Sequence, residues 1–272
     1  MFANLDSPKI MGILNVTPDS FSDGGRYTGL NAAIRQAETM LAEGADMIDV
    51  GGESTRPGSD PVPAEEQIRR VVPAIKAIRN LMPNTTISID TTLSQVADAA
   101  LEAGANLIND IAAGRGDPNM LAFAAQADVP LILMHMRGTP KTMQEQPCYR
   151  DVVEEVKAFL LERIDVALAA GVKPGNIAID PGIGFGKRKE DNLALLAHLA
   201  QFVDTGYPVL LGTSRKRFMG SICNVTDPSE LVTASAVTTA LGVMAGVQMY
   251  RVHDVKANRQ AADVAWAIKQ SR

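Results

Sequence analysis

Asp180 ends a short apolar run, and a glycine-rich turn follows it at once in IAIDPGIGFGK (177–187). The run reads as a buried strand. Pro181 stops further ladder pairing, and the glycines let the backbone bend and approach a ligand. It is neither a Walker A loop nor a G-x-G-x-x-G fingerprint, because Pro181 and Lys187 fall where glycines belong. Comparable strand exits recur along the chain: Asn15, Thr55 with Arg56, Asp90, Asn109, Met134 with His135, Ser214 with Lys216, and Arg251 with His253. All but Met134 are polar or cationic, whereas an ordinary strand exit needs only turn residues. Asp90, Asn109 and Asp180 form an acceptor set suited to a flat heterocycle that presents N–H donors. Arg56, Lys216, Arg251 and His253 form a cationic set suited to a phosphate or diphosphate. Asn15 offers an oxygen ligand to a Mg²⁺ riding on that anion. A second reading of Asp90 and Asp180 is that they support Lys216 or Arg251 rather than a ligand. No His/Cys/Asp cluster has structural-metal spacing. No G-x-S-x-G elbow makes Ser214 a nucleophile.

A strand-then-helix repeat would position these groups. Strands are expected at 10–14, 47–50, 86–89, 106–108, 130–134, 177–180, 209–211 and 249–252. Helices are expected at 31–43, 64–81, after Thr92, at 118–126, 151–170, 191–202, 229–245 and from Asp254 to 269. Pro73 predicts a kink or break, and Thr92 and Asp254 are expected as caps. The segments EGADMID (43–49), AGANLIN (103–109) and AGVQMYR (245–251) share one shape: a helix-ending glycine, a short turn and a buried strand. Eight such units read as a single-domain (β/α)₈ barrel spanning 1–272, with its site at the strands' C-terminal ends. The rival is a doubly wound open sheet, against which stands the missing fingerprint after the first strand.

Composition narrows the function. The 272 residues are 46% hydrophobic with a net charge of -5, which supports a large core and gives no basic surface for nucleic acid. Two distant cysteines make neither a disulfide framework nor a metal site, and a reducing cytoplasm fits. The apolar stretch 231–249 is interrupted by Thr, Ser and Gly, so no membrane span is expected.

MGILNVTPDSFSDGG (11–25) and DVGGESTRPG (49–58) resemble the two signatures of the dihydropteroate synthase family. Ile89-Asp90-Thr91, Asn109-Asp110, Leu133-Met134-His135-Met136, DPGIGFGK (180–187), Ser214-Arg215-Lys216 and Arg251-Val252-His253-Asp254 match in family order. Thr213, Arg217 and Phe218 fall at positions where members vary. The resemblance implies a homodimeric barrel that joins 6-hydroxymethyl-7,8-dihydropterin diphosphate to 4-aminobenzoate with Mg²⁺ and releases diphosphate. It implies that Asp90, Asn109, Asp180 and Lys216 contact the pterin, that Ile111, Met134 and Phe185 wall its slot, and that Arg251 stacks on it. Asn15, Arg56, Arg251 and His253 would hold diphosphate and metal. Phe21, Thr55, Pro57 and Ser214 would form the aminobenzoate pocket, under loops 16–27 and 51–63. Asp23 would steady the developing cation or receive a proton; on its own it reads equally as a turn former. Two other readings stay open: a methyltetrahydrofolate–corrinoid methyltransferase, which would share the acceptors and lack the diphosphate set, and a non-catalytic binding paralogue.

Overall fold

A computed structural model describes residues 2, 5–16 and 25–271. Eight parallel strands alternate with helices: β1 Lys9–Asn15, α1 Gly25–Ala42, β2 Met47–Gly51, α2 Ala64–Leu81, β3 Thr86–Asp90, α3 Ser94–Glu102, β4 Leu107–Asp110, α4 Met120–Ala127, β5 Leu131–Met134, α5 Val152–Ala169, β6 Ile177–Asp180, α6 Lys189–Ala197, α7 Leu199–Val203, β7 Leu210–Leu211, α8 Arg217–Cys223, α9 Val232–Ala245, β8 Met249–Val252 and α10 Val255–Gln270. The sheet runs β6-β5-β4-β3-β2-β1-β8-β7, and a parallel bridge from Ile179 to Val209 joins its two ends. The sheet therefore closes, which gives the (β/α)₈ barrel and excludes the open doubly wound alternative.

Side-chain alternation along each strand sorts the residues. Ile10, Ile48, Val50, Ile87, Ile89, Leu131, Ile177, Tyr250 and Val252 belong to the large core under the helices. Met11, Met47, Leu107, Ile132, Ala178, Leu210 and Met249, with Phe2, make a separate apolar cluster that plugs the barrel interior near its N-terminal end. Two residues further along the same inward-facing rows come Asp49, Asn109, Met134, Asp180, Gly212 and Arg251. Thus the interior changes from apolar to polar within one pleat.

Several local expectations need correction. Helix α2 runs unbroken through Pro73, because its buried face of Val71, Ala74, Ile75 and Ile78 packs across the proline. Thr92 is not the cap of α3. Leu93 precedes that helix, and Asp117 serves its first turn by accepting from the Ser94 N–H at 2.8 Å and the Ser94 hydroxyl at 2.6 Å. Asp254 precedes α10 without capping it and instead pairs with Arg215 at 2.9 and 2.6 Å. The helix expected at 191–202 is two, α6 and α7, separated at His198. The short helix α8 was not anticipated. By contrast, Asp151 caps α5 by accepting from Val153 and Glu154 N–H at 3.1 Å each.

Candidate active site

The inward rows bring Asp90, Asn109, Asp180 and Arg251 from four strands to one mouth. Arg251 reaches across the barrel from β8. Its Nε donates to Asp49 Oδ2 at 2.5 Å and its Nη2 to Asp90 Oδ2 at 2.6 Å. Asn109 Nδ2 donates to the same Asp49 oxygen at 3.2 Å. Asp180 Oδ1 accepts the Gly182 N–H at 2.6 Å, so the turn after β6 fixes the carboxylate plane. Glycines leave room around the charges. A Cβ on Gly51 would lie 3.5 Å from Asn15 Oδ1 and 3.7 Å from Asp90 Oδ2, and one on Gly212 would lie 3.7 Å from Asp180 Oδ2.

One wall of the mouth is apolar. Ile111, Met134 and Phe185 come together there, joined by Met136 and Met143. Lys216 lies with its ammonium 4.0 Å from the Phe185 ring centre, a cation–π contact that fixes both side chains. Ser214 and His253 form a second small unit: Ser214 Oγ sits 3.0 Å from His253 Nδ1 and accepts the His253 backbone N–H at 3.1 Å. The hydroxyl can donate to Nδ1 or accept from it, according to which ring nitrogen carries the proton.

Burial dominates the electrostatics. It raises the Asp180 carboxyl to about 6 against the Gly182 N–H and Lys216, which hold it down. It raises Asp90 to about 7, opposed by Arg251 and assisted by Asp49. Lys216 falls to about 8 through burial and then Arg251. Burial also disfavours charge on Arg251, but Asp49 and Asp90 outweigh it and raise the guanidinium further. His253 is held down to about 3 by burial and then by Arg251 and Arg215. It is therefore neutral at pH 7 and leaves the expected cationic set.

The outer loops stand apart. Arg56 and Pro57 are exposed and Thr55 is half-buried. The loop carrying them docks at its tip on the loop after β5, through Gly58 N–H to Pro140 O at 3.0 Å and Lys141 to Asp60 at 2.6 Å. Among the described residues, Arg56 touches none of the inner charges. Phe21 and Asp23 lie outside the described residues. Asn15, half-buried at the end of β1, provides one neutral oxygen, and no group of three metal-ligating acids, histidines or cysteines occurs among the described residues. A single neutral oxygen fits a Mg²⁺ that draws its other ligands from a bound anion.

The comparisons agree with this architecture. A family model described as pterin binding enzyme matches residues 11–253. The dihydropteroate synthase of Synechocystis sp. is 46% identical over 259 residues, covering 95% of this chain and 89% of that one. The Xanthomonas albilineans dihydropteroate synthase with 4-aminobenzoic acid superposes with a TM-score of 0.91 at 45% identity, covering 97% of this chain and 94% of that one. The same organism's enzyme in complex with 7,8-dihydropteroate gives 0.88 at 42% identity, over 98% and 95%. The chain belongs to the dihydropteroate synthase family.

Family membership does not say which side chains hold the site in shape, and the geometry adds some that the sequence reading passed over. Asp49 is wholly buried and links Arg251 to Asn109. Its signal was an acid in the middle of an otherwise buried run, in phase with Met47 and Gly51. Lys187 turns into its own loop. It is buried and donates to Gly182 O at 2.8 Å and Phe185 O at 3.0 Å, with His135 Nδ1 at 2.9 Å. His135 is buried with it, held down to about 2 by burial and then by Lys187, so it props the loop instead of lining the mouth.

Proposed function

We propose that this chain condenses 6-hydroxymethyl-7,8-dihydropterin diphosphate with 4-aminobenzoate to give 7,8-dihydropteroate and diphosphate. The observation that carries the reading is the convergence of Asp90, Asn109 and Asp180 beside Arg251 and Lys216, against the Ile111–Met134–Phe185 wall. A flat ring with a donor edge fits between such acceptors and such a wall. The solved relatives with 4-aminobenzoic acid and with 7,8-dihydropteroate support the choice of substrates.

In the proposed mechanism Asp180 and Asn109 accept from the pterin edge, and Asp90 keeps Arg251 beside it. The bond from the pterin methylene carbon to the diphosphate oxygen breaks first, and its electron pair leaves with diphosphate. The dihydropterin ring delocalises the resulting cation. The amine lone pair of 4-aminobenzoate then forms the new C–N bond, and the nitrogen sheds one proton. An aromatic amine is neutral at pH 7, so the step needs no strong base. Arg251 and a ring N–H of neutral His253 stabilise charge on the leaving diphosphate, each well-aimed donor contributing on the order of 3 kcal/mol. Mg²⁺, with Asn15 as one oxygen ligand, would neutralise further charge on that group. Arg56 reaches the diphosphate, and Thr55, Pro57 and Ser214 frame the aminobenzoate, when loop 51–63 closes over the mouth. Phe21 completes that pocket, and Asp23 receives the proton or steadies the cation.

The test is formation of labelled dihydropteroate from the pterin diphosphate and labelled 4-aminobenzoate, with and without Mg²⁺. Product that requires the metal supports the reading. Folded protein that binds the pterin and makes none sinks it, and methyl transfer to a corrinoid would then identify the methyltransferase.

A further inference from the structure

We propose that Asp49 is a positioning residue that sets which face Asn109 turns to the pterin and holds Arg251 beside it; this rests on the pterin reading above. Asp49 lies in the middle of β2, paired with Ile13 of β1 and Ser88 of β3, and no part of it reaches solvent. One of its oxygens, Oδ2, serves two functional side chains at once: Arg251 Nε at 2.5 Å and Asn109 Nδ2 at 3.2 Å.

An ionised carboxylate only accepts hydrogen bonds. The Asn109 amide must therefore direct its NH₂ toward Asp49. Because the amide is planar, its Oδ1 then faces away from Asp49, and the residue presents an acceptor. A pterin edge bearing N–H donors requires that orientation. The flipped amide would set donor against donor, leaving buried groups unpaired. Arg251 is fixed in the same way. With Nε on Asp49 and Nη2 on Asp90, two contacts from two strands define the guanidinium plane.

The rest of the Asp49 side chain argues against a role in folding alone. Its other oxygen, Oδ1, is buried with no partner, and so is the Ser88 hydroxyl on the paired residue. Unsatisfied buried polar atoms cost stability. Asp49→Asn keeps the side chain's volume and leaves Arg251 its partner Asp90, so it alters the donor–acceptor pattern without opening a cavity. An asparagine at position 49 can donate as well as accept, so it no longer dictates the orientation of Asn109.

The experiment is calorimetric binding of 6-hydroxymethyl-7,8-dihydropterin diphosphate to four full-length chains: wild type, Asp49→Asn, Asn109→Ala and the double variant. The expected result is pterin affinity at least about tenfold weaker for Asp49→Asn, a step of 1.4 kcal/mol. The loss should be smaller in the Asn109→Ala background, where only the contribution through Arg251 remains. In steady state the pterin KM rises while the 4-aminobenzoate KM stays unchanged. Wild-type affinity in Asp49→Asn, or an equal loss in both backgrounds, overturns the proposal. Should Asp49→Asn not fold, Asp49→Ser is read against the same outcomes. A wild-type chain that binds no pterin overturns the functional reading and this one together; wild-type binding with an unaltered Asp49→Asn overturns this one alone.

Discussion

Replacing Gly182 by alanine probes how tightly the turn after β6 is built. Gly182 has φ +67°, and a Cβ there would lie 1.9 Å from the backbone oxygen of His135. Side-chain Cβ atoms essentially never approach closer than 3.0 Å, so the backbone must move by at least the difference, 3.0 − 1.9 = 1.1 Å. The obstacle is main chain at the end of β5, which is held by the Asp180 carbonyl through the His135 N–H at 3.0 Å and cannot swing aside. Two contacts sit within reach of that shift: the 2.6 Å bond from Gly182 N–H to Asp180 and the 2.8 Å bond from Lys187 to Gly182 O. Left-handed backbone costs a non-glycine residue about 1–2 kcal/mol. A hydrogen bond to a charged group contributes about 1.5–3 kcal/mol. Losing one such bond along with the backbone strain predicts a loss of roughly 3–5 kcal/mol. In a chain of this size that lowers the melting temperature by roughly 10 °C. The assays are a thermal melt and pterin binding by calorimetry, and pterin affinity should fall as well, because Asp180 loses the donor that fixes its plane. Gly58→Ala is the internal control: its φ is +85° but a Cβ there meets nothing within 4 Å, so it should cost only about 1–2 kcal/mol and leave pterin affinity intact. A Gly182→Ala chain that melts and binds like wild type would refute the reasoning.

Two further predictions concern pH and capping. Because Asp180 is raised to about 6, pterin affinity should decline as pH falls through that value, with a slope approaching one proton, and Asp180→Asn should flatten the curve. The sign for folding is opposite: the native state holds the Asp180 proton more tightly than the unfolded chain does, so ionised Asp180 costs stability above about pH 6, and acidification from there toward the ordinary carboxyl value of 3.8 relieves that cost. A denaturation series across this window on wild type and Asp180→Asn reads it directly. Asp151→Ala removes the two 3.1 Å bonds at the start of α5 and should cost about 1 kcal/mol, seen as a lower denaturant midpoint with turnover unchanged.

The barrel was legible because its strands announce themselves twice, as buried apolar runs and as glycine-ended helix exits such as Gly44, Gly104 and Gly246. Boundaries were less so. Asp254 looks like a helix cap in sequence, yet Arg215, 39 residues away in the chain, takes both its oxygens. Asp117 caps α3 from outside that helix for the same reason: long-range partners outbid local propensity and leave no local signature. At the candidate site, the convergence of Asp90, Asn109, Asp180 and Arg251 was legible from strand-end position, since parallel strands all exit on one side. Charge state could not be read that way. His253 counts as a cation by residue type, but its burial, and then the neighbouring Arg251 and Arg215, make a positive charge there unfavourable. Nothing in the sequence shows that Lys187 spends its donors on the carbonyls of its own loop.

The barrel is not equally strong around its circumference. Strand β7 has two residues, and β6 meets it through the single bridge from Ile179 to Val209. Asp180 and Lys216 belong to opposite banks of that join. Local opening free energy follows the number of ladder bonds and packed neighbours, so amide exchange in the strand core should be fastest at 209–211. A ligand that engages Asp180 on one bank and Lys216 on the other closes the gap itself. Saturating the chain with pterin should therefore slow exchange at 209–211 more than anywhere between β1 and β4, and the substrate becomes the last staple of the barrel that binds it.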